Sequence, residues 1–561
     1  MDPEKDPRPT HTSSICDIHS TIEYLHPKSH PNVHLPHYLH KSTNITIPTP
    51  PNGQAYKSPL LWSRQKKFIT TIIACGVTAM AAYAAGELAP AFNQLHQAWG
   101  VDLVPFNLST TLFTLGFAVT PMVLAPFSEG WGRRPIFLGS GVLFTACLAG
   151  CGASDSLAGL LVGRFFLGVS GSSFSSIVGG VISDIYADHE RNVPMALFSG
   201  ATLFGTGVGP LISSTIASRT TWRWICYSQA MVSAGVVALL YFFFAETREV
   251  VLLSRMTDDF NSYFDAMEQV GFYGVVVNSS LGDSQGGGRL VRVRYRVDTG
   301  GKEMALRDRL IISCSRPFTF LFTEPVVFFF SLWVAFSWAV LYLNFGSIPL
   351  VFSTTYNFTL EQTGAVFTGI VPNCFYITYF LSMSACIHKL TILITLAIAI
   401  ASIFATLLSI YQEKLAITYN ILPHTTEARL YFACVEAFLL PIGLFWFGWS
   451  VRPTIHWIVP SLGIGCAIVG IFSIYLATFN YLADAYKEYA SSAIAAQSFC
   501  RNLLGGIFPL VTNAMFSNLG YGPAASLLGG IGLALTLVPW VLLAFGPRIR
   551  GKSKFACGDR G

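Results

Sequence analysis

Four residues of a short hydrophilic knuckle, Glu129, Gly132, Arg133 and Arg134, set an acid, a turn former and two bases between two long apolar segments. Charges beside hydrocarbon are costly unless they pair or reach water. Such tight mixing of signs reads as a clasp between membrane helices, with a snorkelling anchor as the competing reading. Arg164 lies inside an otherwise apolar stretch, Leu160-Leu-Val-Gly-Arg-Phe-Phe-Leu167. A guanidinium there must find acceptors, and it marks either a structural pair or a proton and substrate relay. Glu87 and Glu436 are the deepest carboxylates of the two halves of the chain, while Asp184, Glu246, Glu324 and Asp484 border apolar segments. Carboxylates at such depth are the groups that load and release protons in transporters. The competing reading for each is an interfacial ion pair, which Glu246, two positions before Arg248, fits best.

Aromatic residues make up 14% of the chain, and most belong to interfacial belts or core packing. Tyr83, Trp338, Tyr342 and Tyr481 are among those that could line a cavity for flat or cationic ligands. Gly205, Gly209 and Pro210 share one predicted helix. The two glycines form a smooth packing face and the proline a kink. The G-x-G pattern there has no preceding strand. The P-loop pattern at 546–553 also lacks one, so neither reads as a nucleotide site. The twelve cysteines show no metal-ligand spacing. No cofactor or metal is expected, and no constellation points to an enzyme.

The elements that hold these residues are predicted from composition. The chain is 52% hydrophobic and 12% charged, with a mean hydropathy of +0.52, far from an ordinary soluble domain. Apolar runs of membrane-spanning length extend from 67–91 to 524–546, and 362–411 counts as either one or two spans. Lys and Arg concentrate at 64–67, at 133–134, across 248–316 and after Pro547, whereas the alternate loops 92–105, 353–361 and 518–523 carry none. This bias places both termini in the cytosol and argues against a nucleic-acid partner. The expected domains are a disordered cytosolic arm (1–62), a six-helix bundle (63–245), a cytoplasmic loop (246–320), a second six-helix bundle (321–546) and a basic cytosolic tail (547–561). The loop opens with helix-like sequence and ends in Arg289-Leu-Val-Arg-Val-Arg-Tyr-Arg296, read as a solvated strand, a positive-inside anchor or a lipid-binding stretch.

Knuckle, arginine helix and glycine–proline helix, in this order, resemble motifs A, B and C of the major facilitator superfamily. Glu129, Arg133 and Arg134 stand in the motif A positions. The leading glycine is replaced by Ala125 and the arginine after the acid by Gly130. Arg164 matches the motif B arginine, and Gly205, Gly209 and Pro210 match the antiporter motif C. Stretches including Trp222-Arg-Trp224, Asn344-Phe-Gly-Ser-Ile-Pro349 and Asp484-Ala-Tyr486 with Arg501 beyond are similar to fungal twelve-helix drug:proton antiporters related to polyamine exporters. The resemblance runs from about residue 58 to 546 and adds Asn344 and Arg501 to the candidate cavity lining. It implies an all-α membrane fold of two six-helix bundles. It omits 371–397, read as an in-frame insertion from a retained intron or gene-model error, which a spliced transcript lacking these codons would establish.

The expected function is proton-coupled export of small amphipathic or cationic compounds, such as drugs, toxins or polyamines, by a monomer in the plasma or vacuolar membrane. Arg164 and a carboxylate such as Glu87 or Glu436 would exchange protonation for substrate at the midplane. Arg164→Ala is expected to leave the protein folded but inactive. An importer on the same fold and a non-transporting membrane sensor are the alternatives.

Overall fold

The computed structural model describes residues 22–25, 51, 56–187, 190–269, 275–277, 289–296, 306–367, 403–412, 427, 430–486, 489–551, 553 and 555. They fall into two compact units: Ser63–Glu246 with Ala305–Gly561, and Met1–Trp62 with Thr247–Met304. The sequence proposed as an insertion, 371–397, lies outside the described residues.

In the larger unit, α1 (Arg64–Gly86) begins where the Ser63 hydroxyl accepts from the Lys66 amide at 3.4 Å. A short α2 (Phe92–Trp99) closes on Gly100 and leads to α3 (Leu103–Gly130), α4 (Arg133–Ala153), α5 (Leu157–Ile185), α6 (Asn192–Arg219) and α7 (Arg223–Phe243). Gly132 breaks α3 from α4 at φ 102°, a conformation that costs a side-chain-bearing residue dearly. Within this half α1 packs on α6, α3 on α5, and α4 on α5 and α7.

The second half is built from α9 (Leu306–Thr323), α10 (Pro325–Tyr356), α11 (Leu360–Phe367), α12 (Ile403–Gln412), α13 (Tyr431–Glu436), α14 (Leu439–Ser450), α15 (Ile458–Tyr486), α16 (Ala490–Leu519), α17 (Tyr521–Leu535) and α18 (Leu537–Arg550). The span expected over 429–449 is interrupted between α13 and α14. Pro441 has no amide to bond back to Ala437, which loosens the turn there. Among the described residues, eleven helical stretches are long and apolar enough to cross a membrane. Of the stretch 362–411, the described parts are α11 and α12 at its two edges.

Two expected boundaries shift. The loop drawn over 246–320 is shorter, because α9 packs on α3 and α16 and buries Phe320 against Tyr486, with ring centroids 5.8 Å apart. The tail drawn from 547 is helical to Arg550, whose side chain is buried.

The smaller unit contains α8 (Glu249–Gln269) and a three-stranded sheet. Its central strand β3 (Arg289–Tyr295) pairs in parallel with β1 (Ile22–Leu25) and antiparallel with β2 (Val275–Val277). The arm expected to be disordered thus contributes a strand. Asn261 brackets the Tyr295 backbone with two hydrogen bonds of 2.9 and 2.8 Å, and Arg294 pairs with Asp265 and Glu268. The Arg-rich stretch is thus a strand of this sheet.

Candidate transport site

Arg164 and Glu87 meet. α1 ends at Glu87, and the Arg164 Nη1 donates to Glu87 Oε1 at 2.8 Å, both side chains 0% exposed. Nη2 donates to the Ala84 carbonyl at 2.8 Å and Nε to the Ser109 carbonyl at 3.5 Å, while Phe113 lies 4.9 Å from the guanidinium. Among the described residues, Glu87 Oε2 has no partner. Arg164 is seven residues from the start of α5, about 11 Å at the helical rise. With the charge bias fixing that start outside, the pair sits in the outer part of the bundle and not at its midplane. Complete burial also changes the outlook for Arg164→Ala, which strands a charge in apolar surroundings.

Among the described side chains, the acids that clasp the knuckle are Glu246 and Asp184. Glu246 accepts the backbone amides of Arg133 and Arg134, at 2.8 and 3.1 Å, and so caps α4, whose N-terminal dipole favours an anion. The Arg133 Nε pairs with Asp184 at 3.2 Å and its Nη1 donates to Ser128, while Arg134 donates to the Tyr241 carbonyl. Any side chain at Gly132 would run into the Glu246 carboxylate. The Glu129 side chain lies outside the described residues.

Gly205 and Gly209 do the packing expected of them. A methyl group at Gly209 would lie 2.6 Å from the Tyr83 carbonyl oxygen, and one at Gly205 would collide with that of Ala79. Pro210 is tolerated within α6, and its carbonyl faces Gly364 of α11. The two halves touch near both membrane faces. On the outer side Asn107 donates to the Pro509 carbonyl, Thr111 to that of Gly506, and Ser218 and Arg219 to Glu361. The Ser218 hydroxyl above all, and Arg219 with it, hold this carboxyl below the usual carboxylate range against a smaller opposing effect of burial. On the inner side Asn480 donates to Asn192 at 3.1 Å and Phe198 packs on Phe479.

The cavity candidates separate. Trp338, Tyr342 and Arg501 come together. The guanidinium lies 4.6 Å from the Trp338 ring and 5.1 Å from that of Tyr475, and Gly505 lets both Trp338 and Tyr342 approach α16. Tyr481 instead packs on Phe330 and approaches Gly546, Asn344 is buried on α10, and Tyr83 is half-buried beside Ser213. Glu436 bonds to other residues. It accepts from Gln412 at 2.5 Å and from Ser473 beside the α13–α14 interruption. Sequence reasoning missed Tyr475 and Gln497, and it missed the buried pair of Arg550 and Glu427 at 2.6 Å. The latter carried a signal, an acid and a base at the inner ends of two spans of one half.

The model of the Major Facilitator Superfamily matches residues 68–509. The chain belongs to this family. Its curated relatives include the efflux pump atB of Aspergillus terreus, 31% identical over 78% of this chain and 83% of that one. The multidrug transporter mdrA of Aspergillus fumigatus is 28% identical over 89% and 74%. Among solved structures, the proton:xylose symporter XylE shares the fold at a TM-score of 0.53 and 13% identity, over 86% of this chain and 97% of its own. The protein is an integral, multi-pass membrane transporter of the all-α major facilitator fold.

Proposed function

We propose that the protein is a proton-coupled exporter of small amphipathic organic compounds, working by alternating access between the bundles 63–245 and 321–546. The carrying observation is the fully buried Arg164–Glu87 pair, whose second carboxylate oxygen has no partner among the described residues. A proton on Glu87 would release the guanidinium, and its loss would re-form the pair. Phe345 lies flush on Gly86, beside Glu87, and stacks edge-on against Tyr342 with centroids 5.2 Å apart. The proton site thus abuts the aromatic row of α10. The close α1–α6 contact at Gly205 and Gly209 seals the first half against ion leakage, and the Glu246–Arg133–Asp184 clasp stiffens its cytosolic end. Relatives named efflux pump and multidrug transporter support the outward direction. The reading includes a monomer at the plasma membrane.

The test compares accumulation of a panel of amphipathic compounds in cells that overproduce or lack the protein. Overproducing cells should accumulate less of at least one compound, and a protonophore should erase the difference. Greater accumulation would indicate import, and no difference across the panel with protein in the membrane would defeat the proposal.

A further inference from the structure

We propose that the substrate site is an anion site centred on Arg501, and that it takes flat aromatic compounds carrying a carboxylate or an equivalent acid. This rests on the export reading for its physiological meaning, though not for its chemistry. Arg501 is the twelfth residue of α16, about 17 Å from the inner end. Trp338, the fourteenth residue of α10, lies about 20 Å along it from the same side. Tyr475, twelve residues from the end of α15, falls at a similar depth. The three therefore mark the midplane, where alternating access places substrate.

Arg501 is 2% exposed and, among the described residues, has no carboxylate partner. Among the described residues its one side-chain hydrogen bond is a long one, 3.4 Å from Nη2 to Ser498, and Nε and Nη1 have no acceptor. Residues 368–402 contain neither Asp nor Glu, so that stretch supplies no counter-charge. Four of the described acids of this half are engaged elsewhere: Glu427 with Arg550, Glu436 with Gln412 and Ser473, Glu324 with Tyr486, and Glu361 with Ser218 and Arg219. By contrast, the arginine of the first half has its carboxylate. The neighbours of Arg501 are also short of partners. Gln497, one turn earlier on the same face of α16, has both amide atoms unpaired, and the Tyr475 hydroxyl is unpaired as well.

A buried guanidinium with two free donors in fork geometry is matched by a planar oxyanion. Trp338 and Tyr475, whose ring centroids are 5.0 Å apart, lie against the guanidinium and form an apolar rim beside it. A cationic ligand is disfavoured, because the guanidinium already occupies those ring faces and would repel it. This reverses the cation preference that the aromatic residues alone suggest.

The probes are 2-naphthoate, the neutral alcohol 2-naphthalenemethanol and the amine 2-naphthylmethylamine, measured by equilibrium dialysis against the purified full chain near neutral pH. The carboxylate should bind at least about tenfold more tightly than the amine. Arg501→Gln should erase that preference while leaving the alcohol unchanged, and Arg501→Lys should keep part of it. Gln497→Leu, which removes only uncharged polar atoms and guards against a folding defect in Arg501→Gln, should also weaken naphthoate binding. Amine binding as tight as the carboxylate's, a preference that survives Arg501→Gln, or no binding of any probe would overturn the proposal. Binding needs no turnover, so the two readings fail separately. Arg501-dependent naphthoate binding with no compound moved by a pH gradient in proteoliposomes would sink export and spare the anion site. Gradient-driven movement of the amine without such binding would do the reverse.

Discussion

At the scale of single residues, the decisive contact is that of Arg164 with Glu87. Removing one partner of a buried pair leaves the other charge uncompensated and costs about 3–5 kcal/mol, whereas replacing both with neutral groups of similar volume is often harmless. Arg164→Ala should therefore lower the thermal midpoint of the purified protein sharply. Glu87→Gln with Arg164→Met should recover most of that loss and still show no protonophore-sensitive export. A double variant that exports normally would remove the pair from the coupling mechanism. Both residues were legible in the sequence as charges in apolar runs. Their pairing was not, because it depends on where α1 ends relative to α5. Glu246 was obscured by a neighbour: Arg248, two positions away, offered a sufficient local partner, while the amides that Glu246 accepts are over a hundred positions distant. Arg501 shows the opposite limit. Its place in an apolar run was legible, but that no described carboxylate pairs with it can only be seen once the surrounding helices are placed.

At the scale of elements, periodicity and length revealed nearly every helix, because a membrane span must satisfy its backbone internally and be apolar over its whole length. What was lost lies where tertiary contacts decide. The parallel pairing of β1 with β3 joins segments that have the whole first bundle between them, and no local pattern in Ile22–Leu25 announces it. The approach of α6 to α1 was legible from Gly205 and Gly209, and it can be tested at one atom. A side chain at Gly209 has only 2.6 Å to the Tyr83 carbonyl oxygen, which is backbone and cannot rotate away. Gly209→Val should cost about 1–3 kcal/mol by overpacking. Gly139→Ala, where a methyl group meets nothing within 4 Å, should be neutral or slightly stabilising. Thermal unfolding of the two variants in the same detergent makes the comparison. Equal effects would mean that α1 and α6 are free to separate at that point.

At the scale of the whole transport unit, the halves are closed against each other near both faces. The outer contacts join α3 to α16 and α6 to α11, and the inner ones join α6 to α15. A carrier that alternates must break one set while keeping the other, so fixing either set should stop turnover without disturbing the substrate site. The inner set offers the simpler lock, since Asn192 and Asn480 already touch through their side chains at 3.1 Å. Both should tolerate cysteine, because the replaced hydrogen bond joins two neutral amides near the cytosolic surface. A short bis-maleimide applied to the Asn192→Cys, Asn480→Cys double variant should arrest export. Each single variant under the same treatment reports any effect of labelling alone and should keep its activity. Binding of the probe that Arg501 recognises should survive in the locked protein if it can still be reached from the outer side. Export that continues through a fully cross-linked population would show that these two helices do not part during the cycle, and would move the inner gate to another contact.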